Sequence, residues 1–337
     1  MSIQEKETQK QGLQDKGSLE NILETMKQNL SWVSGEIKDI ESIPTGDMPG
    51  DKVQIGPEHI RKSRIILPLL VEQLIPVLEE NQYGRAVVVV CGGSGVGKSE
   101  TASLLSYYLN EMGLGTYTLS GDNYPHRLPK YNDAERSRIF RKSGIEGMIA
   151  NGQYNEKRKT VLKELQESGN DSNATYVSSY PWLAVYQQAG RNGLKNYLGT
   201  NNEIDFKELT GIISQFKNGV SEIFLKRMGR EETELWYDPV DFKEKNILVI
   251  EWTHGNNDNL QGVDIPILLN STPQETLEHR KARNRDGGTD SPFITTVLEL
   301  EQQLLVAQAS KAKLILTKAG ELIDYDEFLK LMTKENK

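Results

Sequence analysis

The amino-acid sequence predicts an α/β architecture: a doubly wound, mostly parallel sheet with helices on both faces, with a helical extension before it and a helical insertion within it. Three observations lead there. Short, nearly continuous apolar runs recur from residue 85 onward, helical-period stretches separate them, and a glycine-rich turn joins the first run to the stretch after it. Strands apolar on both faces belong in a sheet covered on both sides, and strand–helix alternation is how such a sheet is wound.

Residues 1–17 are polar, rich in Gln, Lys and Glu, and are expected to be a disordered tail. From Ser18, a candidate N-cap, the residues Leu19, Ile22, Leu23, Met26, Leu30, Val33, Ile37 and Ile40 recur at helical spacing. Pro44-Thr-Gly-Asp-Met-Pro-Gly50 then reads as a linker or turn. A second helical stretch runs from Pro57 to about Glu80, apolar at Ile65, Ile66, Leu69, Leu70, Leu74 and Leu78, with Pro68 and Pro76 expected to kink or divide it. Residues 18–80 thus form a helical extension whose apolar face is to be covered by the main domain or by a second copy of the chain, making a homo-oligomer through these helices one expectation.

The main domain is expected over 81–337. Its strand candidates are Arg85–Cys91, Gly115–Leu119, Asn246–Trp252, Ile265–Leu269 and Lys313–Thr317. Between about Lys142 and Asn202 the alternation stops. This polar, aromatic insertion, with Tyr176, Tyr180, Trp182 and Tyr186 close together, is expected to be mostly helical.

Composition excludes several function classes. The 337 residues are 36% hydrophobic and 26% charged, with a formal net charge of −8, so a sizeable core is available and a broad nucleic-acid-binding surface is not. Residues 1–60 hold 11 Asp/Glu against 6 Lys/Arg, which leaves the rest of the chain close to neutral. The longest apolar run, Ala86–Cys91, is strand-sized, far short of the roughly 20 residues that cross a bilayer. Cys91 is the sole cysteine, so an intrachain disulfide or a cysteine zinc site is excluded. The first residues lack the basic and apolar regions of a signal peptide, and a cytoplasmic protein without membrane partners is expected.

The glycine-rich turn carries the chemistry. Gly92-Gly93-Ser94-Gly95-Val96-Gly97-Lys98-Ser99 fits G-x-x-x-x-G-K-[ST] at every fixed position, with an apolar strand before it and an amphipathic helix (Leu104, Leu105, Tyr108, Leu109) after it, and these eight residues with Glu100 are the candidate nucleotide-binding residues. This predicts a P-loop NTPase. Glycines let backbone N–H groups turn toward phosphate oxygens; Lys98 is expected to reach the β- and γ-phosphates of ATP, and Ser99 Oγ to ligate Mg²⁺. The following helix adds its N-terminal partial charge.

Two carboxylates follow apolar strands. Thr116-Tyr-Thr-Leu-Ser-Gly-Asp122 places Asp122 at the carboxyl edge of a doubly wound sheet, where it could take a proton from an acceptor hydroxyl, hold the metal, or simply open a turn with Asn123. Asn246-Ile-Leu-Val-Ile-Glu251 ends in Glu251, a candidate Mg²⁺ ligand or a solvated strand terminus. Thr272-Pro-Gln-Glu275 has capping-box spacing and opens a helix bearing Arg280, Arg283 and Arg285, which close over transferring phosphates or form a solvated face. Tyr124, His126, Arg127 and Lys130, directly after Asp122, are candidates for contacting a polar acceptor. Tyr180 and Trp182 could stack on a sugar ring or fill the core of the insertion.

Taken together, the ordered set resembles the uridine kinase and phosphoribulokinase family of small-molecule kinases, and is also similar to bacterial pantothenate kinase. Ser120-Gly-Asp122-Asn-Tyr124 resembles the family's S-x-D-x-[FY], whose Asp is its catalytic base. Asp205-Phe-Lys-Glu-Leu209 with Phe216-Lys-Asn-Gly219, Arg230-Glu-Glu-Thr233, Ile247–Glu251, Val263 through Arg283 and Ala312–Leu316 resemble successive family segments. Arg280 and Arg283 match its lid arginines. The resemblance spans roughly 85–320. It implies an ATP:alcohol phosphotransferase acting on a sugar or nucleoside, with Asp122, Lys98, Arg280 and Arg283 catalytic.

Three departures fall on the acceptor side: Trp252 where the family has Gly, Leu225-Lys-Arg227 where uridine kinases have a Tyr-Asp pair, and a longer stretch between Asp122 and Asp205. They turn the expectation away from uridine. The tract from Gly121 to Arg141 also resembles kinase domains that phosphorylate sugars such as sucrose, so a carbohydrate acceptor is favoured. A nucleotide-switched regulatory ATPase that binds a protein partner is the competing expectation.

Overall fold

The computed structural model describes residues 19–28, 37, 39, 40, 43–51, 53–278 and 291–335. All five expected strands form: β1 (Ala86–Gly92), β2 (Thr116–Ser120), and, further along, β5 (Ile247–Glu251), β6 (Ile265–Leu269) and β7 (Leu314–Leu316). They are parallel, in the order β2-β5-β1-β6-β7, with a short antiparallel β8 (Leu322–Ile323) on the outer edge. Successive residues of β1 feed opposite cores. Val88 and Val90 face one, Val87, Val89 and Cys91 the other, which is the pleat of a strand buried on both sides.

The first core is closed by helices α2 (Pro57–Glu80) and α3 (Lys98–Glu111). Ile66, Leu67, Leu70, Leu74 and Leu78 of α2 are fully buried against it, so this helix spends its apolar face on its own molecule. It is one continuous helix, undivided at Pro68 or Pro76. Each proline offers no N–H to the residue four positions earlier, Arg64 or Glu72, and both of these lie on the exposed side of the helix. Before it, α1 covers 19–28 and buries Leu23 and Met26. Ile37 and Ile40, expected to continue that helix, are irregular instead, as the chain heads for the carboxyl edge of the sheet and buries Ile43 there.

The second core holds α7 (Phe206–Lys217), Leu305 of α8 (Pro292–Gln308), Phe328 of α9 (Tyr325–Glu335) and a hairpin of β3 (Glu222–Met228) and β4 (Leu235–Asp241). The insertion supplies α4 (Pro129–Ala150), α5 (Glu156–Glu167) and α6 (Leu183–Lys195) around a third core. Helices α4 and α6 meet through glycine: a Cβ on Gly144 would stand 2.5 Å from the Tyr186 ring, and one on Gly190 2.8 Å from Phe140. Tyr176, Tyr180 and Trp182 pack on this core as partly buried residues, and Tyr186 is buried within it. Among the described residues no helix is long and apolar enough to cross a membrane.

Candidate active site

Register brings the chemistry together. Ser120 at the end of β2 lies opposite Glu251 at the end of β5, and Glu251 lies opposite Val90 of β1, which runs into the glycine loop. The carboxyl ends of three adjacent strands therefore converge where a doubly wound sheet binds its ligands.

Gly92 leaves β1 so close to β6 that a Cβ there would stand 2.5 Å from the Leu269 carbonyl oxygen. Gly95 and Gly97 take φ of 77° and 97°, the left-handed region that a side chain rarely tolerates. Ser94 is exposed at the crest, Val96 is buried beneath it, and a Cβ on Gly93 would meet Gln302 Oε1 at 3.6 Å. Lys98 begins α3, and its Nζ donates to the Gly93 carbonyl at 3.1 Å, which holds the ammonium over the loop. Glu100 is buried in the first turn.

Ser99 Oγ donates to Glu251 Oε2 at 3.0 Å, and Ser120 Oγ to Glu251 Oε1 at 2.5 Å. Burial and the negative charge of Asp122 push the Glu251 carboxyl up, against the pull of Lys98 and the two hydroxyls. A hydroxyl and a carboxylate are hard oxygen donors, and they suit Mg²⁺ with the rest of its shell left to phosphate and water. Among the described residues no group of three His, Cys, Asp or Glu side chains forms a cage of its own.

Asp122 sits in the three-residue turn Gly121–Asn123 after β2, exposed, while its neighbours on both sides are buried. The floor of that turn is Trp252. A Cβ on Gly121 would stand 2.1 Å from the indole Cγ, so glycine at 121 and tryptophan at 252 fit as a pair. The indole is buried between Phe206 and His254, with ring centroids 5.4 Å from each.

The expected acceptor residues fare unevenly. Tyr124 is fully buried in the second core, with Lys226 Nζ 5.9 Å from its ring, because the chain turns inward directly after Asn123; this is a correction to its expected place facing an acceptor. His126 Nε2 stands 3.0 Å from the Asn201 carbonyl, Arg127 donates to Tyr197 Oη at 3.0 Å, and Lys130 pairs with Glu231 at 3.1 Å. These three are bound to their own surface. Thr272 and Glu275 form the expected capping box, Thr272 N–H donating to the Glu275 carboxylate at 2.8 Å and Glu275 N–H to Thr272 Oγ1 at 3.2 Å. Arg280, Arg283 and Arg285 lie outside the described residues.

Two polar assemblies had no signal in the sequence. Arg136 of α4 donates to Glu203 at 2.6 Å and to Glu301 of α8 at 3.3 Å, which ties the insertion to the main domain. Burial raises the carboxyls of both. At Glu203 the nearer guanidinium and the Gly199 N–H, 2.7 Å away, outweigh it, whereas Glu301 stays raised. The second assembly centres on Asp47, read above as part of a linker; its carboxylate reaches Ser120, Asn123, Tyr117 and Arg227. Arg227 is one of the residues that depart from the uridine kinase pattern, and here it is buried and paired to Asp47.

The family model for adenylylsulphate kinases matches residues 84–221. The bifunctional alpha-galactosidase/sucrose kinase AgaSK of Mediterraneibacter gnavus is 37% identical over 255 residues, 76% of this chain and 22% of that protein, so the chain spans under a quarter of that relative's length. Among solved structures, phosphoribulokinase from Rhodobacter spheroides is 12% identical, with 69% of this chain and 70% of that one covered and a TM-score of 0.42. A possible uridine kinase from Bacillus stearothermophilus is 13% identical, with 73% and 98% covered and a TM-score of 0.37. Over residues 84–221 the chain is thus similar to adenylylsulphate kinases, and over 255 residues to a part of a bifunctional protein whose name includes a sucrose kinase.

Proposed function

We propose that the protein transfers the γ-phosphoryl group of ATP to a hydroxyl of a small carbohydrate, with sucrose as the first acceptor to try. One observation carries the reading: the exposed carboxylate of Asp122 stands at a strand end directly beside the buried Ser99–Glu251 pair and the lysine of the phosphate loop. In this reading Asp122 takes the proton from the acceptor hydroxyl as the oxygen attacks phosphorus. Ser99 and Glu251 hold Mg²⁺, which when bound neutralises charge on the phosphates. Lys98 and the arginines at 280 and 283 stabilise the charge of the transferring group. His126, Arg127 and Lys130 are the candidates for acceptor contact, which they would reach only by exchanging their present partners. The choice of a sugar draws on the relative from Mediterraneibacter gnavus, whose name includes sucrose kinase activity.

ADP release measured with ATP–Mg²⁺ across sucrose, other sugars, sugar phosphates, nucleosides, pantothenate and adenylylsulphate tests the reading. Stimulation by a sugar supports it. Stimulation only by uridine or cytidine, only by adenylylsulphate, or by a protein but by no small molecule, replaces it.

A further inference from the structure

Residues 43–51 run across the carboxyl edge of the sheet, over the metal-side carboxylate. Ile43 is buried, and Gly46 passes so near that a Cβ on it would stand 3.6 Å from Glu251 Oε1 and 3.8 Å from Ser120 Cβ. Asp47 comes next, its side chain 9% exposed. One carboxylate oxygen accepts from the Ser120 backbone N–H at 2.8 Å and from Asn123 Nδ2 at 3.0 Å. The other accepts from Tyr117 Oη at 2.9 Å and from Arg227 Nη1 at 2.8 Å. Burial pushes this carboxyl up and Arg227 pulls it down, yet all four partners donate, and that set is met in full by the carboxylate.

Two of those donors bracket Asp122 in sequence. Ser120 immediately precedes its turn and Asn123 ends it, while the far end of the Asn123 amide accepts from the Met228 N–H at 2.9 Å and so joins the turn to the hairpin. Asp122 is exposed, and the backbone of its three-residue turn carries its carboxylate. Trp252 supports that turn from below, and Asp47 holds it from the side.

We propose that Asp47 is a positioning residue for phosphoryl transfer: by gripping Ser120 and Asn123 it fixes the turn that aims Asp122, which makes residues 43–51 a working part of the site. The proposal rests on Asp122 as the base. The same donor set would also suit an acceptor anion, in which case Asp47 would be a plug, and removing it would raise activity.

The test compares the full chain with Asp47→Ala and with Asp47→Asn, which keeps one acceptor oxygen and nearly the same shape. Three quantities are measured: acceptor-stimulated ADP release, ADP affinity by titration, and hydrogen exchange of peptides covering 117–124 and 92–99. Positioning predicts a kcat lower by roughly 10- to 100-fold in Asp47→Ala, the scale of misplacing a reacting group by about 1 Å. Asp47→Asn loses less, ADP affinity stays within about twofold, in keeping with an intact phosphate loop, and exchange speeds up over 117–124 but not over 92–99. A kcat that is unchanged or raised, or exchange over 117–124 as slow as wild type, overturns the role of Asp47 while leaving the kinase reading intact. A wild-type protein that transfers phosphate to no acceptor in the panel overturns the reading of Asp122, and this proposal with it.

Discussion

In the nucleotide half of the site, eight consecutive residues supply the glycines, the lysine and the serine, and the strand and helix that flank them set their geometry. In the half proposed to take the acceptor, Asp47, the run from Tyr117 to Asn123, Arg227 and Trp252 come from four separate stretches of chain and meet through side-chain contacts. A site written into one local motif tolerates change elsewhere in the molecule. One assembled across the fold inherits the stability of every element that contributes to it.

Substitutions that separate the halves test this contrast. The largest effect is expected from Asp122→Asn, which on the proposed reading removes the general base but no phosphate contact: kcat falls by about 10³-fold, and a titration with ADP shows affinity close to wild type. Equal loss of nucleotide binding would erase the division. Next, Gly121→Ala forces a Cβ into the Trp252 indole, 2.1 Å away as built. Thermal unfolding is expected to show a loss of about 1–3 kcal/mol, with turnover falling while nucleotide affinity holds.

His254 gives a smaller, pH-dependent effect. Burial holds it down to about 4, against the Glu203 carboxylate and with Arg136 and Lys98 adding to the depression. Its folded-state value lies below the unfolded one, so the unfolded chain takes up the proton first. The stability contributed by neutral His254 is present above about pH 6.5 and is lost as pH falls toward 4. Between pH 7.5 and 5.5 the wild type should lose about 1 kcal/mol that His254→Gln does not lose, read from denaturant midpoints at the two pH values. The smallest effect is expected from Lys130→Ala, which breaks an exposed, solvent-screened pair with Glu231. A change of more than about threefold in acceptor KM, beyond what such a pair can supply, would bring Lys130 into the acceptor site.

The same contrast explains what could be read from the chain alone. The phosphate loop, the five parallel strands and the carboxylates at 122 and 251 were legible because each is announced by neighbours in sequence. The hairpin was not: β4 reads Leu-Trp-Tyr-Asp-Pro-Val-Asp, with a proline inside it, two Asp, and no apolar face for most of its length. Nor was Asp47, whose surroundings in sequence are Pro and Gly and whose partners lie 70 to 180 positions away. Tyr124 was misplaced for a related reason. Its position one residue past the Asp122–Asn123 turn says nothing of which way the chain bends, and the hydrogen bond from the Asp205 N–H to the Tyr124 carbonyl, 2.9 Å, turns it toward the core.

The ion pair between Asp47 and Arg227 also bears on how the molecule matures. It closes a span of 180 residues, whereas the phosphate loop is completed within a single strand–turn–helix unit. Contacts so distant in sequence carry the larger chain-entropy cost and form late in folding. Because Asp47 is made long before β3, its pair with Arg227 cannot close until the chain between them has been made. An unfinished chain can therefore carry the whole glycine loop while the clamp beside Asp122 is still open.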